Sequence, residues 1–147
     1  MSKPVYVLGG PNLNLLGSRE PEIYGRDTLE DIHTRLRVLA GELPLETRQT
    51  NHEGELVSWI QEGSAKGSAI ILNAAAYTHT SIAVHDALKA CTVPVIEVHL
   101  SNPAARDAFR QVNYVSPAVK ATIAGLGAYG YELALLAVKT LLGQKET

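Results

Sequence analysis

The sequence predicts an α/β three-layer sandwich built on a five-stranded parallel sheet. Three observations carry that expectation. Short runs rich in Val and Ile alternate with stretches of helical spacing along the chain. One run, Ala69–Leu72, is apolar throughout, as a central strand covered on both faces must be. The length of 147 residues suits a single domain, 1–147, large enough to bury a core without staples.

The elements follow in order. Val5–Leu8 is expected as the first strand. Thr28 to Ala40 reads as a helix, with Thr28 and Asp31 set as a capping box and Leu29, Ile32, Leu36 and Leu39 at helical spacing. Leu45–Thr50 alternates apolar and polar residues, as an exposed strand would. Glu53–Gly63 presents Leu56, Val57 and Ile60 on one helical face, with Gly63 near its end. Ala69–Leu72 is the third strand. Ser81–Ala90 is a helix that stops before Pro94, and Val95–Leu100 is the fourth strand. Ala104–Phe109 reads as a short helical turn, Ala121–Ala124 as the fifth strand and Tyr129–Leu142 as the closing helix. Right-handed crossovers then give a doubly wound, flavodoxin-like arrangement. Gly9 to Asp27 has no periodicity. So long a connection in a small domain points to a functional lid, placed around residues 17–26.

Composition excludes several function classes. Thirteen Lys and Arg against fifteen Asp and Glu give a net charge of −2, without the basic excess of a nucleic-acid binder. No apolar run is long enough for a membrane helix, and the Met-Ser-Lys-Pro start carries no signal-like segment. Cys91 is alone, so no internal disulfide is expected and a reducing cytoplasm is the default location. Six of the eight aromatic residues are tyrosines, and phenols do chemistry that phenylalanine cannot.

In open parallel sheets ligands bind beyond the carboxyl ends of the strands. Here the segments that follow the strands are Gly9–Asn14, Asn51–Gly54, Asn73–Ser81 and Glu97–Asn102, all dense in Asn, His, Ser and Thr. The loops at the opposite end carry no such cluster. Caps and turns account for many such residues, so the cluster, not any one member, marks the site. His99 is the leading candidate for proton transfer, because it ends an apolar strand where side chains enter the ligand crevice. A satisfied structural histidine is the alternative. Glu97, two residues earlier, shares its sheet face. Arg106 and Arg110 are four apart, so one helical turn would put both on one face. With Arg19 on the lid they could form a cationic pocket for a small anion; ordinary surface solvation is the alternative for each. Tyr24 belongs to the same lid.

Other motifs lead nowhere. Gly125–Gly130 fits G-x-G-x-x-G after a strand, but only 17 residues remain beyond it, too few for a dinucleotide site. Close helix–strand packing explains those glycines better. The five histidines lack metal-ligand spacing, so no metal is expected.

Five ordered segments carry a more specific resemblance: Gly10–Gly17, Arg19–Gly25, Gln49–Leu56, Ala76–Ser81 and Glu97–Asn102. Together they closely resemble type II 3-dehydroquinate dehydratase (type II dehydroquinase), over essentially the whole chain. The resemblance implies a hydro-lyase that removes water from 3-dehydroquinate in the anti sense through an enolate, giving 3-dehydroshikimate, with no cofactor and no metal. It implies Tyr24 as the base in its phenolate form and His99 as the general acid. Arg19 would close over the substrate and favour the phenolate, and Asn12 would hold a water that stabilises the enolate. Asn73, His79, Leu100, Ser101, Arg110 and Asp86 match substrate-binding positions, with Glu97 and Arg106 in support. The family also implies a homo-oligomer, a dodecamer of four trimers. It implies a step of the shikimate pathway in aromatic amino acid biosynthesis, and equally admits quinate catabolism. The chain departs from the family pattern at Ala74-Ala75, at Ala104 and at Gln111-Val112-Asn113.

Overall fold

The computed structural model describes residues 2–146. Five strands form one parallel sheet in the order β2-β1-β3-β4-β5, comprising β1 (Val5–Gly9), β2 (Leu45–Gln49), β3 (Ala69–Asn73), β4 (Val95–His99) and β5 (Ala121–Ala124). The expected α/β class and parallel five-stranded sheet are therefore present. The longer helices are α2 (Leu29–Ala40), α3 (Glu53–Lys66), α4 (Ile82–Lys89) and α5 (Tyr129–Glu146); α1 (Pro21–Tyr24) is a single turn.

Strand alternation divides the core into two layers. Val5 and Val7 of β1, with Ile71 of β3 and Val98 of β4, face α2 and α5. Tyr6 and Leu8, with Ile70 and Leu72, face α3 and α4. All five residues of β1, β3 and β4 are buried; Val5–Leu8 and Ala69–Leu72 accordingly read as continuous apolar runs, while β4 buries Glu97 and His99 among its apolar residues. β2 lies at one edge and is only partly covered, matching its mixed composition. The sheet changes winding direction between β1 and β3, so the crevice opens where those two strands end.

Several boundaries differ from the sequence reading, each for a local reason. Thr28 and Asp31 do form a reciprocal capping box, with bonds of 3.0 and 3.1 Å. Gly63, in contrast, does not end α3. It lies inside the helix, where an added Cβ would come within 3.2 Å of the side chains of Ile70 and Tyr6. Its role is close approach of helix to sheet, and Gly67 ends the helix instead. The segment Ala104–Phe109 is not one helical turn. It is two short 3-10 turns, Pro103–Ala105 and Ala108–Arg110, separated by extended backbone at Arg106. The stretch from Gly9 to Asp27 is not wholly irregular either. It holds a 3-10 turn at Leu13–Leu15, whose Leu13 is buried, and α1, started by Pro21.

Candidate active site

The loops beyond β1, β2 and β3 are tied together before any functional side chain is placed. Gly10 donates its N–H to the carbonyl of Asn73 at 2.8 Å, and a Cβ on Gly10 would lie 2.4 Å from the Ala74 carbonyl oxygen. Only glycine allows that approach. Asn51, after β2, accepts from the backbone N–H of Asn12 at 3.0 Å and from Gln49 at 3.1 Å, while Tyr77 donates to its carbonyl at 2.8 Å. Asn12 is thereby held in the left-handed region at φ 70°.

Above this base lies a cleft. It is lined by ten of the twelve residues expected at the site: Asn12, Arg19, Tyr24, Asn73, His79, His99, Leu100, Ser101, Arg106 and Arg110. Asn73 ends β3 and is buried, with its Oδ1 accepting from Ala75 N–H at 3.0 Å. That contact supports Ala75 at φ 53°, an unusual conformation for alanine, so the Ala74-Ala75 departure falls on the strained turn itself. His79 is fixed through Nδ1 to the Val112 carbonyl at 2.7 Å.

Two guanidiniums flank Tyr24. The Cζ of Arg19 lies 4.9 Å from the Tyr24 ring centroid, and that of Arg106 lies 5.1 Å from it. Arg106 is anchored by a 3.1 Å bond to the Ser101 hydroxyl. Arg110 stands 3.6 Å from Asp107 through Nε, close enough for ionic attraction but beyond hydrogen-bond reach, so this buried N–H has no protein acceptor. Arg106 and Arg110 thus reach one cleft although they share no helix.

His99 is held from behind. Its Nε2 bonds to the Oε2 of Glu97, which is fully buried. Burial alone would push the Glu97 carboxyl up. The bond and charge of His99, with hydroxyl bonds from Ser116 and Thr122, outweigh burial and hold it below the ordinary carboxylate value. Glu97 therefore lies beneath the cleft rather than in its wall. Asp86 is exposed on α4 and is not among the residues that line the cleft.

Sequence reasoning missed two groups. Leu13, Leu16 and Pro103 supply apolar wall; the helical spacing of Leu13 and Leu16 around a buried turn was the available signal. Asn113, Ser116 and Thr122 surround Glu97, and no local pattern marks them. Of the glycines in the G-x-G-x-x-G segment, Gly130 packs α5 against Val98 and Ile123 as expected, and the other two take another part. Gly125 and Gly127, both at positive φ, donate to the carbonyls of Ser101 and Leu100 at 3.0 and 2.9 Å. They brace the turn after β4.

Chemically, the cleft combines three guanidiniums, two carboxamides, a phenol and two imidazoles, with no carboxylate among its lining residues. It suits a small hydroxylated anion and offers groups that can take and give a proton.

Known proteins match the chain closely. The model of the family Dehydroquinase class II matches residues 3–139. The 3-dehydroquinate dehydratase of Hyphomonas neptunium is 75% identical over 144 residues, covering 98% of this chain and 98% of that protein. That of Phenylobacterium zucineum is 56% identical over 143 residues, covering 96% and 99%. The crystal structure of type II dehydroquinase from Propionibacterium acnes superposes with a TM-score of 0.90 at 47% identity, covering 95% of this chain and 98% of that one. Fold, cleft and sequence agree, and the chain belongs to the class II dehydroquinase family.

Proposed function

We propose that this chain is a 3-dehydroquinate dehydratase, a hydro-lyase that eliminates water from 3-dehydroquinate to give 3-dehydroshikimate. One observation carries the reading: a phenol flanked by two guanidiniums and an imidazole backed by a buried carboxylate line the same cleft. Elimination needs a base and an acid in opposite protonation states. Tyr24, as phenolate, takes the proton from the carbon next to the ketone, and the C–H electron pair becomes the enolate. Negative charge on the phenolic oxygen is attracted to Arg19 and Arg106. The enolate then collapses, the C–O bond to the hydroxyl breaks, and His99 gives the departing oxygen its proton, so water leaves.

The remaining residues bind and orient. Asn12 stabilises the enolate oxygen, through a water. Ser101 and the Leu100 backbone hold the substrate carboxylate, and Asn73, His79 and Arg110 take ring hydroxyls. Residues 17–26 act as a lid over one catalytic domain, excluding water from the enolate. Among the described residues no lysine lines the cleft, so a Schiff-base route has no nucleophile there. The single, half-buried Cys91 supports a setting in the reducing cytoplasm. Exposed Leu126, Tyr129 and Leu136 beside β5 support self-assembly, proposed to be a dodecamer of four trimers.

The test adds purified protein to 3-dehydroquinate and follows the ultraviolet absorbance of the conjugated enone carboxylate. Absorbance is expected to rise with the intact protein and to fall away for His99→Ala. A flat trace with freshly purified protein would overturn the assignment.

A further inference from the structure

Glu97 is an unusually complete acceptor. Its Oε2 takes bonds from His99 Nε2 and from Asn113 Nδ2, the latter at 3.2 Å. Its Oε1 takes bonds from Ser116 Oγ and from Thr122 Oγ1, the latter at 2.7 Å. A carboxylate offers about four lone-pair positions, and all four are filled. The donors come from three places in the fold. Thr122 lies directly across the β4–β5 ladder from Glu97. Asn113 and Ser116 belong to the turn between β4 and β5. Within it, Asn113 Oδ1 accepts from the N–H groups of Val115 and Ser116, both at 2.8 Å, while its Nδ2 donates to Ser116 Oγ at 2.8 Å.

We infer that Thr122, Ser116 and Asn113 are positioning residues that act on His99 through Glu97, locking that carboxylate as an anion with no site for a proton of its own. The consequence concerns the tautomer of His99. An acceptor-only partner requires Nε2 to carry hydrogen at every stage. The other ring nitrogen is then the one that releases the catalytic proton into the cleft. Glu97 does not relay that proton. β5, an edge strand with little buried side chain, gains a chemical role as the element that delivers the Thr122 hydroxyl.

The inference rests on the reading of His99 as the acid, and the experiment separates the two. Thr122→Val keeps the shape and removes one donor. It is expected to lower kcat about tenfold with KM within about twofold, as for one bond to a charged group. Thr122→Ser, which restores the hydroxyl, should recover most of the loss. In a Glu97→Gln background Thr122→Val should have little further effect, because both act through one group. Unchanged kcat in Thr122→Val, no recovery in Thr122→Ser, or a full additional loss in the Glu97→Gln background would each overturn the inference. Should Thr122→Val fail to fold, Ser116→Ala removes the other donor on the same oxygen and is held to the same outcomes. Full activity in His99→Ala would bring down the acid assignment and this inference together. An inactive His99→Ala beside an unimpaired Thr122→Val would overturn this inference alone.

Discussion

At the scale of the residue, Tyr24 shows how one side chain carries two separable contributions. Its ring stacks against the guanidiniums of Arg19 and Arg106, and that contact needs the π face, not the hydroxyl. Tyr24→Phe should therefore leave the melting temperature within about 2 °C and KM within about threefold, while kcat falls by about 10²-fold or more. Retention of most of kcat would remove Tyr24 from the role of base. Gly10 makes a complementary case. An alanine there would drive its Cβ against the Ala74 carbonyl at 2.4 Å, pushing apart the loops that carry Asn12 and Asn73. Gly10→Ala should destabilise the fold by about 1–3 kcal/mol, measured by denaturant melts, and reduce activity as well. Both residues stand in segments that were legible: Gly10 directly follows an apolar strand, and Tyr24 lies in Arg19–Gly25, one of the segments that carry the family resemblance. Thr122 was not legible. Its relation to Glu97 exists only in the register between two strands 25 residues apart, and no local spacing encodes a register.

At the scale of the element, the face of the sheet away from α2 and α5 carries a polar clamp that the catalytic reading does not use. Arg48 of β2 bonds Glu62 of α3 at 2.6 Å, Tyr6 of β1 donates to the same carboxylate at 2.8 Å, and Arg48 lies 5.3 Å from the Tyr6 ring centroid. The bonds from Arg48 and Tyr6 hold the Glu62 carboxyl down at about 2. Burial, then the bond to Glu62, pushes the Tyr6 phenol up to about 12. A carboxyl that titrates lower in the folded chain stabilises it above its unfolded value of about 4.5. That contribution is lost as the pH falls from there towards 2. A phenol that titrates higher stabilises below about 10 and loses its contribution as the pH rises towards 12. Glu62→Gln should flatten the acid part of the stability–pH curve. Melts between pH 5 and 2.5 that fall equally steeply in both proteins would show that Glu62 contributes nothing there. Helix α3 was read from its apolar face, but its end was misplaced at Gly63. The glycine that looked like a terminator is a contact point with Ile70 and Tyr6, and only packing distinguishes the two uses. Arg106 and Arg110 teach the same lesson in reverse, since they reach the cleft from two separate turns and not from the single turn that their spacing suggested.

At the scale of the whole molecule, the net charge of −2 says little about the cleft, which gathers three arginines and excludes carboxylates from its wall. Carboxyl-end loops were recognisable because the parallel topology collects them, so the location of the site followed from the alternation of strands and helices alone. Asp86 is the residue that a single chain does not explain. The resemblance implied a substrate-binding position for it, yet it is exposed on α4 and does not line this cleft. If the chain assembles as proposed, we propose that Asp86 serves the cleft of a neighbouring copy rather than its own. Each site would then draw Asp86 from one chain and Tyr24 and His99 from another. Asp86→Ala and His99→Ala should both be poorly active alone. Unfolded together in equal amounts and refolded, they should regain about a quarter of the intact activity. Random pairing leaves both groups intact at that share of sites. The same mixing of His99→Ala with Tyr24→Phe should regain nothing, since those residues share one chain's cleft. Activity in the first mixture no greater than the sum of its parts would confine the site to one chain and take Asp86 out of it.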